Sequence, residues 1–343
     1  MTHLFPTLLI ALILLSSSPQ ISGSPSECDV GPTNGCHDKP AALRLKIIAI
    51  CAILVTSMIG VCLPLITRSI PAVHPDRNLF FVVKAFASGV ILATGYMHVM
   101  PDSFDDLRSE CLPENPWRKF PFTMFVAMLS AVVTLMVDSF AMSFYKKRNS
   151  GLAVSTDPDP SSDPEKKVGH DHAHDHNEDE QSLLLRYRVV AQVLELGIVV
   201  HSVVIGLSMG ASQNPCTIRP LVAALCFHQL FEGMGLGGCI LQADYKIKMK
   251  AIMVFFFSFT TPFGIALGIG LSNVYRDNSP TALIVVGLLN ASSAGLLNYM
   301  ALVDLLAADF MGPKLQSNPK LQIWAYVAVF LGAGGMSLMA KWA

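Results

Sequence analysis

Eight stretches of this 343-residue chain are apolar for about 20 residues or more, the length an α-helix needs to cross a bilayer. They run Leu43–Ile66, Leu79–Val99, Phe122–Tyr145, Val189–Ser212, Leu221–Leu241, Ala251–Leu271, Ala282–Phe310 and Ile323–Ala340. In hydrocarbon each backbone N–H and C=O must bond within its own segment, so such stretches fold as helices. The expected fold is therefore an all-α polytopic membrane protein with eight transmembrane helices. Only 14% of the residues are charged, against about 25% in an ordinary soluble protein. The connecting segments are short with one exception, so a soluble catalytic domain has no room, and no enzymatic activity is expected. A net charge of -1 without a basic stripe argues against a nucleic-acid partner. The lipid bilayer is the expected surrounding.

Residues 1–23 read as a signal peptide, because Leu4–Leu15 is apolar but too short to span and a Ser/Pro-rich stretch follows. Residues 24–42 then form an extracytosolic segment, 43–145 carry helices 1–3, 146–188 form a His-rich loop, and 189–343 carry helices 4–8. The stretch Asn149–Leu183 is rich in Pro, Ser and Asp and is expected to be disordered. Tight basic clusters (Lys146-Lys147-Arg148, Lys166-Lys167, Arg186 and Arg188, and Lys246, Lys248 and Lys250) fall between alternate spans. They place those loops in the cytosol and both termini outside. Cys28 and Cys36 are positioned to pair if that side is oxidising. Cys51, Cys62, Cys226 and Cys239 lie inside apolar runs and Cys216 at a tight turn, all without CxxC spacing, and read as packing residues.

Ionisable side chains inside spans are costly and mark function by default. In the fifth span His228 and Glu232 are four residues apart and share one helix face, with Gln229 beside them. An imidazole nitrogen with a carboxylate oxygen suits zinc and neighbouring divalent metals. The bland alternative is a His–Glu hydrogen bond that serves packing. His201 lies mid-span in the fourth helix, followed by Ser202. Gly206 and Gly210 downstream form a small-xxx-small pair that lets another helix approach closely. In the second span His98 and Asp102 are again four apart near the outer end, and read as a relay through which metal gains access. Asp105, Asp106, Glu110 and Glu114 follow and would raise the local cation concentration. His170, His172, His174 and His176 alternate in the long loop, a composition that binds metal. Asp138, Glu195, Asp304 and Lys84 are further ionisable groups in the membrane whose partners sequence leaves open.

These residues resemble the ZIP family of zinc- and iron-regulated transporter-like proteins, in its plant-type branch. The resemblance rests on His201-Ser202-Val203-Val204-Ile205-Gly206-Leu207-Ser208-Met209-Gly210, on His228-Gln229-Leu230-Phe231-Glu232-Gly233, and on His98-Val99-Met100-Pro101-Asp102-Ser103 with the His-rich loop. It covers nearly all of 43–343. It implies helices 4 and 5 as the transport site, with the others in two pseudo-symmetric three-helix groups. It also implies metal movement into the cytosol by an elevator-like alternation, often as a homodimer. On that basis His201, His228, Gln229, Glu232 and Ser202 are the expected transport-site residues. Many members carry an acid four positions after the fourth-span His. Here that position is Ile205, which implies a single main metal site.

The expected cargo is a divalent transition metal, Zn2+ first and Fe2+, Mn2+ or Cd2+ after it, carried as substrate with no resident cofactor. The expected location is the plasma membrane, the alternatives being a vacuolar membrane or a plastid envelope. Two rival functions remain: a metal exporter of the cation-diffusion-facilitator type, and a membrane zinc receptor that moves nothing. An intramembrane metalloprotease would need an HExxH or its equivalent, and the chain has no HExxH.

Overall fold

The computed structural model describes residues 38–67, 77–153, 171–272 and 279–340. The signal-peptide segment, Cys28, Cys36 and His170 lie outside them. Eight helices are long and apolar enough to cross a membrane: α1 (Lys39–Thr67), α2 (Asn78–Leu107), α3 (Phe122–Ala153), α4 (Asp171–Ala211), α5 (Pro215–Gln242), α6 (Ile247–Leu271), α7 (Pro280–Phe310) and α8 (Pro319–Ala340). No strand occurs among the described residues. The eight spans match those read from hydropathy, with longer ends.

Two of the longer ends have clear causes. Helix α2 runs past Val99 to Leu107 despite Pro101. A π-helical turn over Thr94–Val99 precedes the proline. Its wider spacing absorbs the donor that the proline lacks. Helix α4 begins at Asp171, so the segment expected to be disordered is helical from there on. Composition explains it: from Asp171 to Leu196 there is neither Gly nor Pro.

The helices pack as two groups of four. Helices α1, α4, α5 and α6 form one, in which α5 lies against α1 and α4 against α6. Helices α2, α3, α7 and α8 form the other, in which α2 lies against α8 and α3 against α7. The pairings are preserved on exchanging α1 with α6, α2 with α7, α3 with α8 and α4 with α5. This is the pseudo-symmetry of two three-helix units, α1–α3 and α6–α8, about the α4–α5 pair. A second π-helical stretch, Met300–Ala307 in α7, mirrors the one in α2.

Within each group backbone meets backbone. A Cβ at Gly206 would lie 2.7 Å from the Thr261 carbonyl oxygen, and one at Gly210 would overlap that of Ile265. Gly206 and Gly210 thus do what their spacing promised, opposite Gly264 and Gly268 of α6. Glycines 89 and 295 make similar approaches from α2 to Val329 and from α7 to Ala127. Helix α5 is the most enclosed, with 72% of its apolar window buried, whereas α3 has 11%. The centre of the fold is therefore the helix that carries His228 and Glu232.

Candidate metal transport site

The link between α4 and α5 is three residues, Ser212–Asn214, and the Asn214 side chain accepts from the Cys216 amide at 2.9 Å to cap α5. Pro215 takes the first helical position, where its missing N–H costs nothing. The two helices therefore run antiparallel and adjacent, which brings His201 against His228.

His201, His228 and Glu232 each offer a ligand atom, and these atoms lie within 4.8 Å of one another. His201 is 2% exposed, and His228 and Glu232 are fully buried. Both ring nitrogens of His201 and of His228, and both carboxylate oxygens of Glu232, lack a hydrogen-bond partner. Ser202 Oγ and Gln229 Nε2, buried on the same helices, are also without one. Buried polar atoms are almost always satisfied, because leaving one bare costs about 1–3 kcal/mol. Six such atoms on three facing side chains are what a binding site for a polar or ionic ligand requires. Neutral imidazoles with a carboxylate are a borderline donor set, suited to a divalent transition metal.

His98 belongs to the same place. Its ring centroid is 6.0 Å from that of His228, as near as His201 at 5.9 Å. Nδ1 faces Asp102 Oδ2 at 4.0 Å, and Nε2 is buried without a partner. The sequence showed the His98–Asp102 spacing but not this approach, which the π-helical turn over Thr94–Val99 sets by rotating His98 relative to a regular helix. Asp102 is half exposed at the mouth.

A cavity of about 310 Å³ leads from the surface to His98 and His201. Its α2 wall bears Asp102, Asp105 and Asp106, its α4 wall Ile205, Ser208 and Met209, and its α7 wall Val286 and Asn290. It therefore opens between the two helix groups. His228 and Glu232 are not in its lining and lie beyond His98 and His201. Asp105 and Asp106, beyond the end of the second apolar stretch, are on the last turns of α2. Ile205 lies in the pocket wall, four positions after His201. Asn290 and Met209 carried no signal in the sequence, since neither is ionisable.

The other singled-out residues fall elsewhere. Lys84 pairs with Asp309 at 3.0 Å, and Tyr299 donates to Asp138 at 3.4 Å. Asp304 is buried in the π-helical stretch of α7. The backbone at His172, His174 and His176 is helical, at the start of α4. Cys51, Cys62, Cys226 and Cys239 are free thiols, whereas Cys111 and Cys216 are disulfide-bonded. The packing reading of Cys216 is thereby corrected. It sits on the exposed first turn of α5, outside the apolar run, where another sulfur can reach it.

Comparison with known proteins gives the family. The family profile described as ZIP Zinc transporter matches residues 43–340. The chain is 62% identical to "Fe(2+) transport protein 1" of Oryza sativa subsp. japonica, over 96% of this chain and 92% of that protein. It is 60% identical to "Probable zinc transporter 8" of Arabidopsis thaliana, over 98% and 96%. It is 56% identical to "Zinc transporter 7" of Arabidopsis thaliana, over 98% and 97%.

Proposed function

The chain belongs to the ZIP zinc transporter family, and from that premise we propose that it carries zinc or iron(II) across a membrane into the cytosol through the site between α4 and α5. The observation that carries the proposal is the cluster of His201, His228 and Glu232, buried and unpartnered, whose His201 lines an open pocket. The metal is substrate, so the site must both accept and release it. Three donors leave coordination positions open, unlike the closed four-ligand set of a structural zinc. His98 supplies a further imidazole from α2 when the ion descends past Asp102. Because His98 lies in the other helix group, its contact is one that a relative movement of the groups makes or breaks. With Ile205 in place of an acid, one main metal site is the reading that the wall supports. Manganese and cadmium suit the same donors.

The pocket is proposed to face outside. Cys111 follows the pocket end of α2 and Cys216 precedes pocket-lining Thr217, and both are disulfide-bonded. Disulfides persist on the oxidising side of a membrane. The Lys246, Lys248 and Lys250 cluster lies at the opposite end, as a cytosolic loop should. Both termini are then outside, and the plasma membrane is the proposed location. Dimerisation through a second copy remains part of the proposal. The protein acts as a carrier and not as an enzyme.

Radiolabelled zinc uptake into proteoliposomes of known orientation tests the function. Saturable flux from the pocket face, with competition by iron(II), is the expected result. Flux only in the reverse direction would identify an exporter, and zinc binding without flux a receptor.

A further inference from the structure

One buried polar cluster, at the face opposite the pocket, has no part in the site described above. Lys84 is 5% exposed, yet its Nζ donates to Asp309 Oδ1 at 3.0 Å and to Gln242 Oε1 at 2.9 Å. Lys84 precedes His98 on α2 by about 21 Å of helix rise. Lys84 and Asp309 belong to the group of α2 and α7, whereas Gln242 ends α5 in the other group. The bond from Lys84 to Gln242 therefore crosses the boundary between the groups.

Between this cluster and the metal site the boundary is built differently. On one side are glycines of α4 and α5, on the other the tips of apolar side chains. Gly197 faces the Met300 methyl group, Gly235 the Ile91 Cδ1, and Gly238 the Phe80 ring. Such contacts are non-directional, and sliding one surface over the other breaks no hydrogen bond. Several other long-range side-chain hydrogen bonds lie within a group, as from Lys46 to the Gly210 carbonyl and from Ser130 to that of Ser292. The two ends of the boundary also differ. At the mirrored end of α7, Ala282, Leu283 and Val286 bear no ionisable group, and there the groups stand apart around the pocket.

We propose that Lys84, held in place by Asp309, and Gln242 form a latch that joins the two helix groups opposite the pocket and must open before an ion can leave on that side. The latch holds the pocket-open conformation. A hydrogen bond from a cation is strong where water is excluded, so one such bond suffices to bias two conformations. Gln242 lies on the same helix as Glu232, at its far end, so a movement that frees the ion from α5 strains this bond. The proposal rests on the carrier reading only in naming what the latch releases.

The test uses the full chain in proteoliposomes with Val286→Cys in the pocket wall. The rate at which a membrane-impermeant thiol reagent modifies it is read against protein without that cysteine. Gln242→Leu, which removes the acceptor, is expected to lower the rate about tenfold, the bias of one charged hydrogen bond. Gln242→Glu keeps an acceptor and is expected to label at or above the parent rate. If Gln242→Leu does not fold, Gln242→Asn, too short to reach Lys84, carries the same expectation. Labelling of the Leu or Asn variant at the parent rate would overturn the latch. Zinc uptake is measured on the same vesicles. No uptake by the parent with labelling shifted in the variants overturns the carrier reading alone, and uptake by the parent with unshifted labelling overturns the latch alone.

Discussion

Two clusters of buried ionisable side chains among the described residues are opposites. At one, Lys84 meets Asp309 and Gln242, and its charge is met on both sides. At the other, His201, His228 and Glu232 face one another with every ring nitrogen and carboxylate oxygen unsatisfied. Both desolvate polar groups in a low-dielectric interior. Only the first recovers the cost with partners of its own. A cluster completed internally serves structure and conformation, whereas a cluster left incomplete is a receptor for something outside the chain. The chemistry of the incomplete one, two imidazoles with a carboxylate, suits a divalent transition metal.

The contrast can be broken by mutation. The largest effect is expected at the unpartnered cluster. His201→Ala or His228→Ala should reduce zinc uptake by more than the 10–100-fold typical of losing an outer-shell partner. Surface biotinylation should show undiminished protein. Next comes stability, where the two clusters should respond with opposite signs. Asp309→Ala strands a buried cation and should destabilise by about 3–5 kcal/mol. Glu232→Leu removes unsatisfied oxygens and should leave the metal-free protein as stable or more so, by up to about 1–3 kcal/mol. Thermal unfolding in detergent, with metal chelated, compares them.

Proton competition should separate the clusters as well. Imidazole binds metal only when neutral, and its ordinary pKa is about 6.5. Protonation therefore opposes binding: affinity is full above the site's imidazole titration and falls as pH drops through it. Zinc affinity titrated from pH 8 downward should decline by about tenfold or more per unit once that range is reached. The smallest effect is expected at the mouth. Asp102→Asn leaves His98 in place but removes the carboxylate beside its Nδ1, and should weaken apparent zinc affinity about tenfold with little change in maximal rate.

Much of this was legible in the sequence. The eight spans were, because about 20 apolar residues in a row have few other uses. His228 and Glu232 were, because a spacing of four places them on one face, and His201 was, because a histidine mid-span is conspicuous. What stayed hidden depends on contacts distant along the chain or on departures from regular helix. The partner of Lys84 is 225 residues away. The approach of His98 to His228 depends on a π-helical turn that a regular spacing of 3.6 does not show. The helical start of α4 was masked by polarity, which looks the same in a solvated helix and in a loop. The bonded state of Cys111 and Cys216 depends on where sulfurs meet in space, which spacing along the chain does not reveal.

The most direct measurement is X-ray absorption at the zinc edge on purified protein loaded with one equivalent of zinc, beside Glu232→Ala and His228→Ala. The account predicts a shell of nitrogen and oxygen at about 2.0–2.2 Å, with imidazole scattering that weakens in the His variant. Bound zinc with sulfur at about 2.3 Å, or a shell unchanged in both variants, would place the metal elsewhere and contradict it.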